Sequence, residues 1–101
     1  MVLVRIVLQA KWGAAGDVAK EMGQAAAEMV QVVGGGKVRV LTDLSGTFHR
    51  VVQEIEVESI AAWEANRERI FSHPAFVESQ KRLDGLIESG SMEFYTIESS
   101  T

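Results

Sequence analysis

The sequence predicts an α+β domain in the order strand, helix, strand, strand, helix, strand: a four-stranded antiparallel sheet with its helices on one face. Three observations carry that expectation. Val2 to Lys11 (VLVRIVLQAK) is rich in β-branched residues and alternates, with Val2, Val4, Ile6 and Leu8 on one face and Leu3, Arg5, Val7, Gln9 and Lys11 on the other. Val38 to Trp63 (VRVLTDLSGTFHRVVQEIEVESIAAW) reads as strand, turn, strand and the start of a helix. Two stretches with helical apolar spacing separate the strands. This is the ferredoxin-like plan.

Taken in order, Trp12 to Gly16 is a loop and the first helix runs from about Asp17 to Val33. Val18, Met22, Ala25, Ala26, Met29 and Val33 form its apolar stripe, and Asp17 suits the positive end of the helix dipole. Gly34, Gly35 and Gly36 stop this helix as a cap and connector. Glycines that cradle phosphate come instead where a helix begins. The hairpin follows, Lys37 to Leu44 and Thr47 to Glu58. A two-residue Ser45–Gly46 turn would set Thr42 opposite His49, Val40 opposite Val51 and Val38 opposite Gln53. The other side would pair Leu41 with Arg50, Arg39 with Val52 and Lys37 with Glu54.

Ser59 is a good N-cap for the second helix, which runs to about Phe71 with Ile60, Trp63, Ile70 and Phe71 as apolar positions. Pro74 breaks it and opens a further segment expected to reach Glu88, with Phe76, Val77, Leu83, Leu86 and Ile87 apolar. Gly90 is read as its end, and Met92 to Glu98 as the last strand before a polar tail.

Composition bounds the function. A chain of 101 residues is one domain, and 47% hydrophobic with 24% charged residues is ordinary for a globular protein. A net charge of −4 disfavours nucleic acid and anionic membrane as partners. Val2 to Leu8 is interrupted by Arg5 and no cleavage pattern follows, so no signal peptide is read there. No apolar run has the length of a membrane span. The chain has no cysteine, which excludes disulfides and thiolate chemistry and suits a cytoplasmic protein.

With helices covering Val2, Val4, Ile6, Leu8, Val38, Val40, Val51, Ile55 and Val57, the opposite sheet face presents Leu3, Val7, Leu41, Phe48 and Val52, with Tyr95 and Ile97. Each such side chain left in water forgoes roughly 1.5–3 kcal/mol. A homodimer that packs two sheets face to face is therefore expected. Arg5, Arg39, Arg50, Asp43, Glu54 and Glu56 share that face, and charges there must pair. They read as an ionic network that fixes dimer register, or alternatively as an anion-binding or acid–base site.

The hairpin LTDLSGTFHRVVQEIEVES leading into AAWE, then HPAF and the closing ESGSMEFYTIE, resembles the dimeric α+β barrel superfamily, and within it the NIPSNAP-like and antibiotic-monooxygenase-like proteins. The resemblance implies a homodimer and a pocket between sheet and helices. Superfamily members include cofactor-free oxygenases, haem-degrading enzymes, isomerases and proteins of no known activity, so it implies no single reaction. The haem-degrading branch uses an Asn on the first strand and a Trp and a His on the second helix. Trp63 and His73 share that pair's spacing, but anchoring on Phe76 puts Ile70 and Gln80 there, and the first strand offers Gln9.

The candidate catalytic residue is His49, a base or hydrogen-bond donor in an apolar setting. Thr42 and Gln53 would orient a ligand, and Trp63, Met22 and Trp12 would pack around it. The bland readings are a solvated His49, a core Trp63 and Trp12 as a plug under its loop. His73 reads as a local capping residue, and the Glu54–Glu56–Glu58 row as a charged face. No metal motif and no phosphate loop is present, and no cofactor is expected. Two functions remain: a small-molecule protein acting on an apolar or aromatic metabolite, with cofactor-independent oxygenase or isomerase chemistry if it is an enzyme, and a non-catalytic module whose main act is dimerisation.

Overall fold

The computed structural model describes residues 1–33 and 36–101. Seven elements follow one another: β1 (Val2–Ala10), α1 (Ala15–Val33), β2 (Lys37–Thr42), β3 (Arg50–Val57), α2 (Ile60–Ser72), α3 (Pro74–Leu83) and β4 (Ile87–Thr96). The sheet is antiparallel in the order β2-β3-β1-β4, as the ferredoxin-like plan requires. The cap assigned to Gly34 and Gly35 lies outside the described residues.

Local chemistry explains the boundaries. The buried residues of α1, Val18, Met22, Ala26 and Met29, recur every three or four positions. Ser59 Oγ accepts the Ala62 N–H at 3.0 Å, the side-chain cap that opens α2. At the break, His73 Nδ1 accepts the Ala75 N–H at 3.1 Å and Pro74 takes the first helical position, where its missing N–H costs nothing. His73 is the local cap the sequence suggests.

Two expectations need correction. The β2–β3 connection is no two-residue turn; residues 43–49 form it, closed by Asp43 Oδ1 accepting the Arg50 N–H at 3.0 Å. Thr42 consequently pairs with Val51, Val40 with Gln53, Val38 with Ile55, Leu41 with Val52 and Arg39 with Glu54. The slip is two residues, so every side chain keeps its face. The third helix ends at Leu83 and not Glu88. Gly85, at φ +83, makes the sharp turn, and the Lys11 N–H donates to Leu86 O at 2.8 Å, which draws the chain back to β1. Leu86 and Ile87 therefore leave the helix, and Gly90 lies inside β4.

The helix-covered face holds two apolar clusters. Ala10, Ala14, Val18, Met22, Val51 and Leu83 form one. Val4, Met29, Ile55, Trp63 and Ile70 form the other. The uncovered face carries Leu3, Val7, Leu41, Val52 and Tyr95; Tyr95 is fixed there by its pairing with Leu3.

Candidate functional site

The residues singled out from sequence separate along the sheet. His49 ends the β2–β3 connection with φ +63, a left-handed conformation uncommon for a side-chain-bearing residue. Its carbonyl accepts the Ala10 N–H at 2.9 Å, and its Nε2 accepts the Gly13 N–H at 3.4 Å. The Trp12 ring stands edge-on to the His49 ring at 4.7 Å and to Phe48 at 5.8 Å. Trp12 is 80% exposed, so it plugs nothing. Thr42 is exposed and no longer opposite His49. Gln53 is buried between Ile6 and Val40, and Met22 belongs to the Val51–Leu83 cluster.

Trp63 is at the other end. It packs with Val4, Met29, Ile55 and Ile70, and its ring meets Phe94 edge-on at 6.4 Å. Six residue steps along the chain lead from His49 to Ile55, about 20 Å at the usual strand rise. His49 and Trp63 do not share a pocket.

The open sheet face gathers the charges. Arg5 Nη1 donates to Glu93 at 3.0 Å and its Nε lies 3.7 Å from Glu54. Arg39 also pairs with Glu54, and Lys37 stands 3.8 Å from Glu56. Arg5, Arg39, Glu54 and Glu93 thus link all four strands in one electrically neutral network. Leu3 and Tyr95 flank it on one side, and Val7, Leu41 and Val52 on the other. Arg50 and Phe48 lie beyond, where Gln9 Nε2 donates to Phe48 O at 2.7 Å.

Among the clefts of the helix layer, two lie against the sheet. The first, of about 660 Å³, lies between α3 and the β1–β4 half of the sheet. Leu8, Phe71, Phe76, Val77, Leu83 and Ile87 are its apolar walls, and Gln80, Lys81 and Asp84 form its polar rim. Beside it the helix-side residues of β4, Met92 and Phe94, are roughly half exposed because no helix packs along the length of that strand. The second cleft, of about 440 Å³, lies against Trp63, Met29, Ile55 and Ile70 at the other end. The first is not legible in the sequence because the pattern there reads Ile87 as helical and Gly90 as the stop that ends the helix. Gly90, a glycine inside a strand, was the available signal for a close approach.

Among the described residues no three His, Cys, Asp or Glu side chains gather to hold a metal, and no helix is long and apolar enough to cross a membrane.

No protein-family model and no curated protein matches this chain. Solved structures do. A NIPSNAP domain protein from Burkholderia xenovorans superposes with a TM-score of 0.81 over 95% of this chain and 93% of its own, at 18% identity. A NIPSNAP family protein of unknown function from Agrobacterium tumefaciens gives 0.81 over 94% and 86%, also at 18% identity. The fold is the NIPSNAP fold. A candidate antibiotic biosynthesis monooxygenase from Nitrosomonas europaea shares it less closely, with a TM-score of 0.73 over 95% and 97% at 10% identity. Identities this low carry the NIPSNAP architecture and leave the chemistry to the residues of this chain.

Proposed function

We propose that the protein is a homodimer that binds a small apolar or aromatic metabolite in the cleft between α3 and strands β1 and β4. The observation that carries this reading is the cleft itself: about 660 Å³ with Leu8, Phe76, Leu83 and Ile87 as walls. Its character, apolar walls with a few polar groups at the mouth, is that of ligand sites, and it is a shallow groove that would leave one side of a ligand in contact with water. Gln80, Lys81 and Asp84 supply those groups. If the ligand is transformed there, cofactor-independent oxygenation or isomerisation is the reading to test, and the likeness to the Nitrosomonas europaea protein, described as a monooxygenase, bears on oxygenation alone.

A second reading, a non-catalytic assembly module, is favoured by the open face. Its four-strand network is internally neutral, so a second copy could cover it without burying an unmatched charge.

Native mass spectrometry tests both. A dimer carrying extra mass that is lost on denaturation supports the ligand-binding reading. A clean dimer that takes up no apolar metabolite supports the assembly reading. A monomer overturns the dimer in either case.

A further inference from the structure

On the helix side of the sheet, β4 presents Ile87, Gly90, Met92 and Phe94 beside strand β1. Met92 and Phe94 are each 42% exposed, and in the α3 cleft Phe71 and Val77 are 38% and 41% exposed. We propose that the ligand of the α3 cleft is an unbranched aliphatic chain with one polar end, which lies with that end at Gln80 and its tail along β4 to Phe94. The proposal rests on the ligand-binding reading above and names the class of ligand.

The shape of the open surface decides the class. It leaves the α3 cleft at Ile87 and passes Gly90 to reach Phe94; the four strand steps from Gly90 to Phe94 span about 13 Å. Across the strands it is narrow. Val4 is fully buried and Ile6 and Leu8 are partly covered, so the open strip is β4 itself, about 5 Å wide at the usual strand spacing. An α-helix, about 10 Å across, would overhang the edge of the sheet. An extended peptide laid on the strip would leave its own N–H and C=O groups unpaired, because those of β4 lie in the plane of the sheet. A methylene chain is narrow and has no such groups to satisfy.

Polarity sets the direction. Ile87, Gly90, Met92 and Phe94 carry no hydrogen-bonding side chain, and the next helix-side position, Thr96, ends the apolar strip. The polar side chains of the cleft, Gln80, Lys81 and Asp84, are all at its α3 end. The polar end of the ligand needs no charge, since Lys81 and Asp84 are opposite in sign and Lys81 already lies 3.3 Å from Glu78. Each methylene on the strip touches protein on one side and water on the other. Full burial of a methylene corresponds to about a fourfold gain in affinity, so one-sided contact gives about twofold.

The test measures hexanol, octanol and decanol as competitors of an apolar dye bound to the intact protein. The expected result is an affinity that rises about fourfold with each two-carbon step. Met92→Ser, at an exposed position, should weaken decanol by about four- to eightfold, the contact of two or three methylenes, and leave hexanol unchanged. A level affinity from hexanol to decanol would overturn the chain and leave a compact ligand in the α3 cleft. Decanol binding unaffected by Met92→Ser, or hexanol weakened as much as decanol, would overturn the path along β4. Uptake of neither the dye nor any alcohol would overturn the ligand-binding reading itself, and this proposal with it.

Discussion

Gly90 faces Leu8 across the β1–β4 ladder so closely that a Cβ on residue 90 would stand 2.8 Å from Leu8 Cδ2. Leu8 is also a wall of the α3 cleft, so the glycine sets how far that side chain can lie back from the cavity. Gly90→Ala should push the Leu8 tip toward the cleft. Overpacking costs about 1–3 kcal/mol, and the lost glycine entropy returns about 0.5–1 kcal/mol. The expected net loss is up to about 2.5 kcal/mol in urea unfolding, with weaker uptake of an apolar dye. Unchanged dye binding would show that Leu8 does not shape the cavity.

His49 joins two loops through its Gly13 and Ala10 bonds while holding a left-handed backbone. His49→Ala removes the ring contacts and keeps the strain, so a loss of about 1–2 kcal/mol is expected. His49→Gly loses the same contacts and relieves the strain, and should recover about 1 kcal/mol of that loss. Both should leave ligand uptake at the α3 cleft unchanged. Lost uptake in either variant, with the fold intact, would return His49 to the binding machinery.

Arg5 sits between Glu54 and Glu93 at the centre of the open face. Arg5→Glu would place three carboxylates together, and Leu41→Glu would add a charge among Val7 and Val52. If two copies meet on this face, size-exclusion chromatography with light scattering should find both variants monomeric and the parent protein dimeric. A dimeric Leu41→Glu protein would place the interface elsewhere.

Ser79 is 2% exposed in α3, and its Oγ has no hydrogen-bond partner among the described residues. A buried hydroxyl without a partner is a desolvation cost. Ser79→Ala should stabilise the fold by about 1 kcal/mol, read as a higher urea midpoint at constant slope. A destabilised variant would mean that the hydroxyl has a partner, such as a bound water.

Much of the architecture is legible in alternation. Val2, Val4, Ile6 and Leu8 reveal the covered face of β1, and Ser59 and Pro74 mark where helices open. What misleads is glycine and loop length. Gly90 looks like a helix stop because nothing local records that Leu8 crowds it from β1. Ser45–Gly46 looks like a hairpin turn because nothing local records that Asp43 closes a longer loop onto Arg50. The site suffers most. His49 and Trp63 are close in sequence and both suit a pocket, but β3 runs between them and carries them to opposite ends. Open cavities depend on which helix roofs which strand, a relation between distant segments that residue spacing does not encode.

The central place of β1 sets the order in which the molecule can be made. Val2 pairs with Val57 on one side and Thr96 on the other, so the first strand synthesised finds its second partner only when the last strand exists. Local contacts can form early in the β2–β3 hairpin and the helices, while β1 must wait for long loops to close. During translation its row of Val, Ile and Leu is therefore unsheltered, and a stall before β4 leaves a nascent chain with a sticky, half-paired strand. Slow decoding after Asp84 would expose that strand for longest, and holdase chaperones would be drawn to it first.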